Sequence, residues 1–305
     1  MITVCVPVYN TDVRPLARQL SEQAARAPVP VEILLYDDGS EEHWHRHNGE
    51  TATLPGTVYR RGESNLGRAA LRNLLGQSAR FPWLLFLDAD SMLPTGDFLI
   101  KYLSHLPTEG VLCGGTLYHD EPPEASSQLL RWTYGSNREQ RPAAIREKEN
   151  GFAITANNFM INREVLLAHP FREAIKGYGH EDTLLGYDLR QAGITIHHID
   201  NPVFHTGLET SGEYLEKSRA ALANLLFISR HLVRDPRFDE TSGLLRGLKR
   251  AERWGLRPLA AALFSLTEPR LRAHLTGPHP SLLLFDLYRA GYLCSLSNQK
   301  PLTPK

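Results

Sequence analysis

The chain has 305 residues, 42% hydrophobic and 22% charged, an ordinary soluble composition with room for one large or two modest domains. Its 34 basic side chains balance 34 acidic ones, so a polyanion such as nucleic acid is not the expected partner. Cys5, Cys113 and Cys294 have no metal-type spacing and their odd number argues against a disulfide framework, which fits a reducing, cytoplasmic setting.

The opening "ITVCVPVYN" lacks a signal-peptide pattern and predicts a buried strand ending in a loop at Pro7 to Asn10. Leu16, Leu20 and Ala24 recur at helical spacing. "VEILLYDDGS" predicts a second apolar strand stopped by two acids and a turn. A short strand in "TVYRRGESNLG", a helix in "GRAALRNLLGQSA" and a third apolar strand in "PWLLFLDADSMLP" follow. Such alternation implies an α/β fold, with a parallel sheet flanked by helices. Ligands of these sheets sit at the carboxyl ends of the strands. Tyr9-Asn10, Asp37-Asp38 and Asp88-Ala89-Asp90 all fall at such ends.

The pattern changes after about residue 110. "VLCGGTLY" predicts one strand, and the charged stretch 119–150 an excursion or mobile loop. "AITANNFMINREVLLAHP" predicts a strand and then a helix from about Arg163. "EDTLLGYDLRQAG" reads as a helix ended by Gly193, and "ITIHHIDNPVFHTG" as strand and loop. Beyond Gly212 the chain is mainly helical, and no apolar run approaches the roughly 20 residues that span a bilayer.

Each acidic strand end has two readings. Asp88 and Asp90 can converge on a divalent cation, or cap a turn. Asp37 and Asp38 can grip a base or ribose, or build an Asp-Gly-Ser turn. Asn65 and Gly67 precede a helix carrying Arg68 and Arg72, which suits a phosphate or a solvated surface. In "GYGHED", Glu181 and Asp182 fit either a helix start or a working carboxylate. Shared placement at strand ends favours the functional readings of Asp88, Asp90 and the Asp37-Asp38 pair. No Gly-x-Gly-x-x-Gly fingerprint, phosphate-loop motif or His-Glu-x-x-His occurs, and "HWHRH" reads as solvated surface.

In order and spacing, "VPVYN", "YDDGS", "NLGRAALRN" and "LDAD" resemble the family 2 glycosyltransferases of the GT-A fold. The resemblance is specific over about the first 100 residues and looser to about residue 205, through "GGTLY", "ANNFMINREVL", "GYGHED" and "HHIDNPVFH". That second half is similar to the metal-dependent inverting branch with galactosyl- and N-acetylgalactosaminyl-transferring enzymes.

The resemblance implies a Rossmann-like, mainly parallel catalytic domain over residues 1–209, with a nucleotide-binding half (1–110) and an acceptor half (111–209), and a helical C-terminal region over 210–305. Pro7, Tyr9 and Asp38 are then expected at the nucleotide base, Asn65 and Arg68 beside base and ribose, and Asp88 near the ribose. Asp90 is the expected ligand of Mn²⁺ or Mg²⁺. His205, 23 residues after Asp182, would complete that site, with His197 and His198 its rivals. Asp182 is the expected general base and Glu181 the holder of a sugar, with Tyr178 stacking on a sugar face and Gly177 and Gly179 freeing the loop. Asn157 and Asn158 are candidates for sugar contact or form a buried polar pair. A UDP-linked hexose or N-acetylhexosamine is the implied donor, and a glycan, lipid-linked or protein hydroxyl the acceptor. The C-terminal helices read as a cap on the catalytic domain or as a peripheral contact with the inner membrane face. A nucleotide-sugar-binding module without transfer activity is the alternative; a nucleotidyltransferase would carry a Gly-rich basic loop where "VPVYNTD" stands.

Overall fold

The computed structural model describes residues 1–150 and 153–296. In chain order its first elements are β1 (Ile2–Val8), α1 (Arg14–Ala24), β2 (Val31–Asp37), α2 (Glu42–Gly49), β3 (Thr57–Arg61), α3 (Arg68–Ser78), β4 (Trp83–Leu87), β5 (Ser91–Met92) and α4 (Phe98–Ser104). Next come β6 (Val111–Cys113), β7 (Thr116–Leu117), α5 (Leu129–Tyr134), α6 (Ala143–Asn150), β8 (Asn158–Asn162), α7 (Arg163–Ala168), α8 (Glu181–Gln191), β9 (Ile196–His198) and β10 (Val203–His205). The rest of the described chain is helical: α9 (Ser211–Phe227), α10 (Arg237–Glu240), α11 (Gly243–Arg253), α12 (Arg257–Leu275) and α13 (Leu282–Ser295); residues 297–305 of the expected helical region lie outside the described residues.

The chain forms two compact units, both discontinuous in sequence. Met1–His119, Arg138–Ala174 and Glu181–Gly207 make the first. It holds a seven-stranded sheet of order β3-β2-β1-β4-β8-β6-β9 and a three-stranded sheet of order β5-β10-β7. In the larger sheet only β8 runs antiparallel to its neighbours. This is the expected mainly parallel α/β fold.

Strand pleating explains the two-layer core, because alternate residues face opposite sides. Val4, Val6, Leu35 and Leu85 pack with Leu16 and Leu20 of α1 and Phe98 of α4. Cys5, Leu34, Leu84 and Phe86 pack on the other side with Leu71 and Leu75 of α3 and Leu185 and Leu189 of α8. All these side chains are at most 2% exposed. Burying one fully contributes about 1.5–3 kcal/mol.

Two expectations need correction. "VLCGGTLY" is not one strand: β6 joins the large sheet and β7 the small one. The polar stretch 119–150 contains α5 and α6. Arg146 anchors α6, donating to the carbonyls of Cys113 (3.0 Å), Gly114 (3.1 Å) and Ile199 (2.7 Å). Hydropathy could not reveal this, since a charged side chain holds the helix.

Asp120–Asn137, Ile175–His180 and the described chain from Leu208 make the second unit. A capping box opens α9: Glu213 N donates to Thr210 Oγ1 (3.3 Å), and Thr210 N donates to Glu213 Oε2 (2.9 Å). The core gathers Leu130 of α5 with Tyr214, Leu215, Phe264, Leu275, Phe285 and Tyr288. No described helix is long and apolar enough to cross a membrane.

Candidate active site

Parallel pairing carries β1, β2 and β4 to a common edge, with Val8 beside Asp37 and Cys5 beside Phe86. Pro7 still belongs to β1, next to Tyr36, whereas Tyr9 lies just past the strand and is 52% exposed. Asp37 is structural: it accepts from Ser40 N (2.7 Å) and Tyr59 OH (2.5 Å). Asp38 accepts from the backbone N–H groups of Leu66 (2.8 Å) and Gly67 (3.1 Å). Burial raises its pKa against these two bonds, and the charge of Asp37 adds to the rise. Those contacts hold the loop that presents Asn65 and Arg68, both exposed, at the start of α3.

Beyond β4 the acids separate. Asp88 Oδ1 receives Arg72 Nη2 at 2.7 Å, and Arg72 Nη1 donates to Glu181 Oε1 at 3.3 Å. Arg72 is 1% exposed and Glu181 5%. A buried arginine thus ties a strand end to the first turn of α8, and Arg68 Nη1 stands 3.9 Å from the same Glu181 oxygen. The sequence did not disclose this role of Arg72, which differs from the phosphate or solvent contact expected on that helix. A signal existed, because Arg72 lies three residues after Ala69 and three before Leu75, inside the buried stripe.

Asp182 follows Glu181 without a salt bridge among the described residues. Its Oδ1 accepts from Thr183 N (2.7 Å) and its Oδ2 from Ala156 N (3.4 Å). Burial pushes the carboxyl up to about 6, the charge of Glu181 adds to this, and Thr183 N–H, Arg72 and Ala156 N–H oppose it. Both acids still occupy the first turn of α8, so the helix-start reading holds alongside.

Asp90 meets a histidine through the small sheet. β5 begins at the next residue and pairs antiparallel with β10, setting His205 opposite Ser91. Asp90 Oδ2 then lies 3.4 Å from His205 Nδ1. Burial alone would raise Asp90, but the hydrogen bond and charge of His205, helped by Arg68, hold it below its ordinary value. Thr206 N (3.0 Å) and Oγ1 (2.7 Å) both donate to Asp90 O. A β-carbon at Gly207 would strike the Asp90 carboxylate, so the chain approaches there as only glycine can. The Tyr118 ring meets His205 edge-on at 5.8 Å, a neighbour the sequence did not disclose. Of the rival histidines, His198 Nδ1 faces Arg146 Nη1 at 2.7 Å and His197 is exposed on β9. Among the described residues no three His, Cys, Asp or Glu side chains cluster as a metal site.

Asn158 does not face open space. It is fully buried, accepts from Tyr102 OH (2.7 Å), and donates to the carbonyls of Gly115 (2.8 Å) and Asn201 (2.9 Å). Its amide is engaged inside the fold, which is the buried-pair reading. Asn157 is only partly buried and donates to Thr116 Oγ1 at 2.8 Å. Tyr178, Gly177 and Gly179 belong to the second unit. There Asn224 Nδ2 donates to the carbonyls of Lys176 (3.0 Å), Tyr178 (3.1 Å) and Gly179 (3.2 Å). Lys217 Nζ sits 5.2 Å from the Tyr178 ring centroid. Gly177, Gly179 and His180 have φ of +75°, +95° and +68°, so the loop is a pinned left-handed turn.

Comparison with known proteins agrees with this architecture. The profile of Glycosyl transferase family 2 matches residues 3–168. The uncharacterized glycosyltransferase YfnE of Bacillus subtilis is 26% identical over 242 residues, covering 64% of this chain and 61% of its own. An uncharacterized glycosyltransferase of Haemophilus influenzae is 34% identical over 92 residues, 30% of this chain and 29% of its own. The chain therefore spans less than two thirds of either relative's length. Among solved structures, the Pyrobaculum calidifontis mannosyltransferase PcManGT, in complex with GDP-Man and Mn²⁺, aligns with TM-score 0.57 at 18% identity, covering 97% of this chain and 81% of that one. S. aureus TarS 1–349 aligns with TM-score 0.53 at 15% identity, covering 96% and 90%. Glucosyl-3-phosphoglycerate synthase of Mycobacterium tuberculosis, in complex with Mg²⁺ and UDP, aligns with TM-score 0.53 at 17% identity, covering 77% and 81%. With the family profile matched from β1 into α7, this chain belongs to glycosyl transferase family 2 and has the GT-A fold.

Proposed function

We propose that the chain transfers a hexose or N-acetylhexosamine from a nucleotide sugar, UDP-linked, to a hydroxyl of a glycan or lipid-linked acceptor, with inversion. The observation that carries this reading is Asp182: a carboxyl with a pKa near 6, beside Glu181, which Arg72 ties to Asp88. Such a group is ionised yet basic enough to take a proton at neutral pH.

In this reading Tyr9, Asp38, Asn65 and Arg68 would take the base and ribose, with Pro7 shaping the strand end and Asp88 near the ribose. Asp90 and His205 offer a carboxylate oxygen and an imidazole nitrogen 3.4 Å apart. That donor pair fits Mn²⁺ or Mg²⁺, which take their remaining ligands from phosphate oxygens and water. Bound there, the cation would neutralise charge on the departing diphosphate. PcManGT with GDP-Man and Mn²⁺, and the synthase with Mg²⁺ and UDP, support a nucleotide and a divalent cation on this fold. In the transfer, the acceptor oxygen bonds to the anomeric carbon, the bond to the diphosphate breaks, and the acceptor proton passes to Asp182. Arg72 keeps Glu181 fixed beside it, leaving Asp182 as the carboxylate without a cation of its own.

The test is a panel of UDP- and GDP-sugars with Mn²⁺, reading nucleotide release with and without EDTA, in wild type and Asp182→Asn. The reading predicts release that EDTA stops and that Asp182→Asn lowers about 10²- to 10⁴-fold. Binding of a nucleotide sugar without release under any condition would favour a binding module. Undiminished release by Asp182→Asn would remove the assigned base.

A further inference from the structure

The second unit carries an exposed apolar stripe. On α12, Leu259, Leu263 and Leu266 are 67%, 59% and 77% exposed and follow i, i+4, i+7 spacing, so they share one helix face. Ala262 and Ala273 continue that face, and Arg270 closes it. At the corner between α11 and α12, Trp254 and Leu256 are exposed as well. The opposite side of α12 is occupied: Phe264 lies in the core with Tyr288.

Charge around the stripe is one-sided. Residues 243–296 hold eight Arg and Lys side chains against three carboxylates, although the whole chain is neutral. Each carboxylate already has a cation: Glu252 pairs with Arg230 and Arg257, Glu268 with Arg219, and Asp286 with Arg289. Arg250, Arg253 and Arg270, all exposed, hold no partner among the described residues. Arg250 and Arg253 end α11 directly before Trp254.

We infer that this face binds an anionic lipid bilayer surface, lying in the interface without crossing it. Leucines supply apolar burial, Trp254 suits the headgroup level, and the unpartnered arginines meet lipid phosphates. The charge pattern selects this occupant over a second copy. A two-fold self-interface would set the same arginines against a face whose carboxylates are all engaged. The inference does not depend on what the active site transfers.

The test is co-sedimentation of the full chain with phosphatidylcholine vesicles, with or without phosphatidylglycerol, at low and high salt. Wild type is expected to pellet with the anionic vesicles, to stay in the supernatant with neutral ones, and to be released from the anionic vesicles by salt. The triple variant Arg250→Gln/Arg253→Gln/Arg270→Gln should weaken binding about a hundredfold, at about tenfold per 1.4 kcal/mol and about 1 kcal/mol per interfacial cation. Trp254→Ser/Leu263→Gln should weaken it independently. All five side chains are exposed, so melting temperatures should match wild type. Equal binding to neutral and anionic vesicles overturns the inference, as does full binding by the triple variant. So does light scattering that shows a dimer dispersed by Trp254→Ser/Leu263→Gln, with no vesicle binding.

Discussion

At the scale of single residues, the two adjacent acids part company because only one has a cation. Glu181 shares Arg72 with Asp88; Asp182 has two backbone N–H groups and a raised pKa. A base works only deprotonated, so kcat/KM is predicted to fall about tenfold per pH unit below about 6, the value to which Asp182 is pushed. Arg72→Met makes a sharper case. It leaves two carboxylates without their buried cation, costing about 3–5 kcal/mol of stability by urea denaturation. Arg72 also pulls Asp182 down, so its removal should move the acid limb of the same profile upward. A profile whose acid limb stays in place would detach the base from this pair. The sequence displayed the acids themselves, since they sit next to glycines at the edge of a pattern. It did not say which acid was paired, because Arg72 and Glu181 are 109 residues apart.

At the scale of elements, the legible parts were those written in local periodicity. β1, β2 and β4 are apolar runs ended by turn residues, and α3, α8 and α9 carry caps or 3.6-residue patterning, so all six stood where local rules put them. β8 illustrates the limit. Its first residue, Asn158, is polar, and its partners come from α4, the link between β6 and β7, and the link between β9 and β10. Nothing local distinguishes that buried knot from an exposed sugar contact. Asn158→Ala should therefore behave as a stability mutant. It strands the Tyr102 hydroxyl and the Asn201 carbonyl, while the Gly115 carbonyl keeps Val203 N–H, and should cost about 3 kcal/mol in urea denaturation. Donor KM of the folded fraction should stay within twofold of wild type. A large rise in KM without loss of stability would return Asn158 to the donor site.

At the scale of the whole molecule, the helical C-terminal region was visible in its spacing, but its two recruits were not. Residues 120–137 and 175–180 are short, and their partners are sequence-distant: Leu130, fully buried, packs with residues from Tyr214 to Tyr288. Arg131 lies 5.0 Å from the Tyr214 ring and pairs with Glu209 at 3.3 Å, while Asn224 holds the 175–180 turn. A cut at residue 209 looks natural from sequence, yet it strips these segments of their core. Exposing Leu130 alone forfeits about 1.5–3 kcal/mol, and the turn that loses Asn224 runs directly into Glu181. A chain ending at Glu209 is thus predicted to melt below the full chain, to bind an apolar dye that the full chain does not, and to lose transfer activity even well below its melting point. Melting equal to the full chain, with no dye binding, would mean that the first 209 residues fold without the helices.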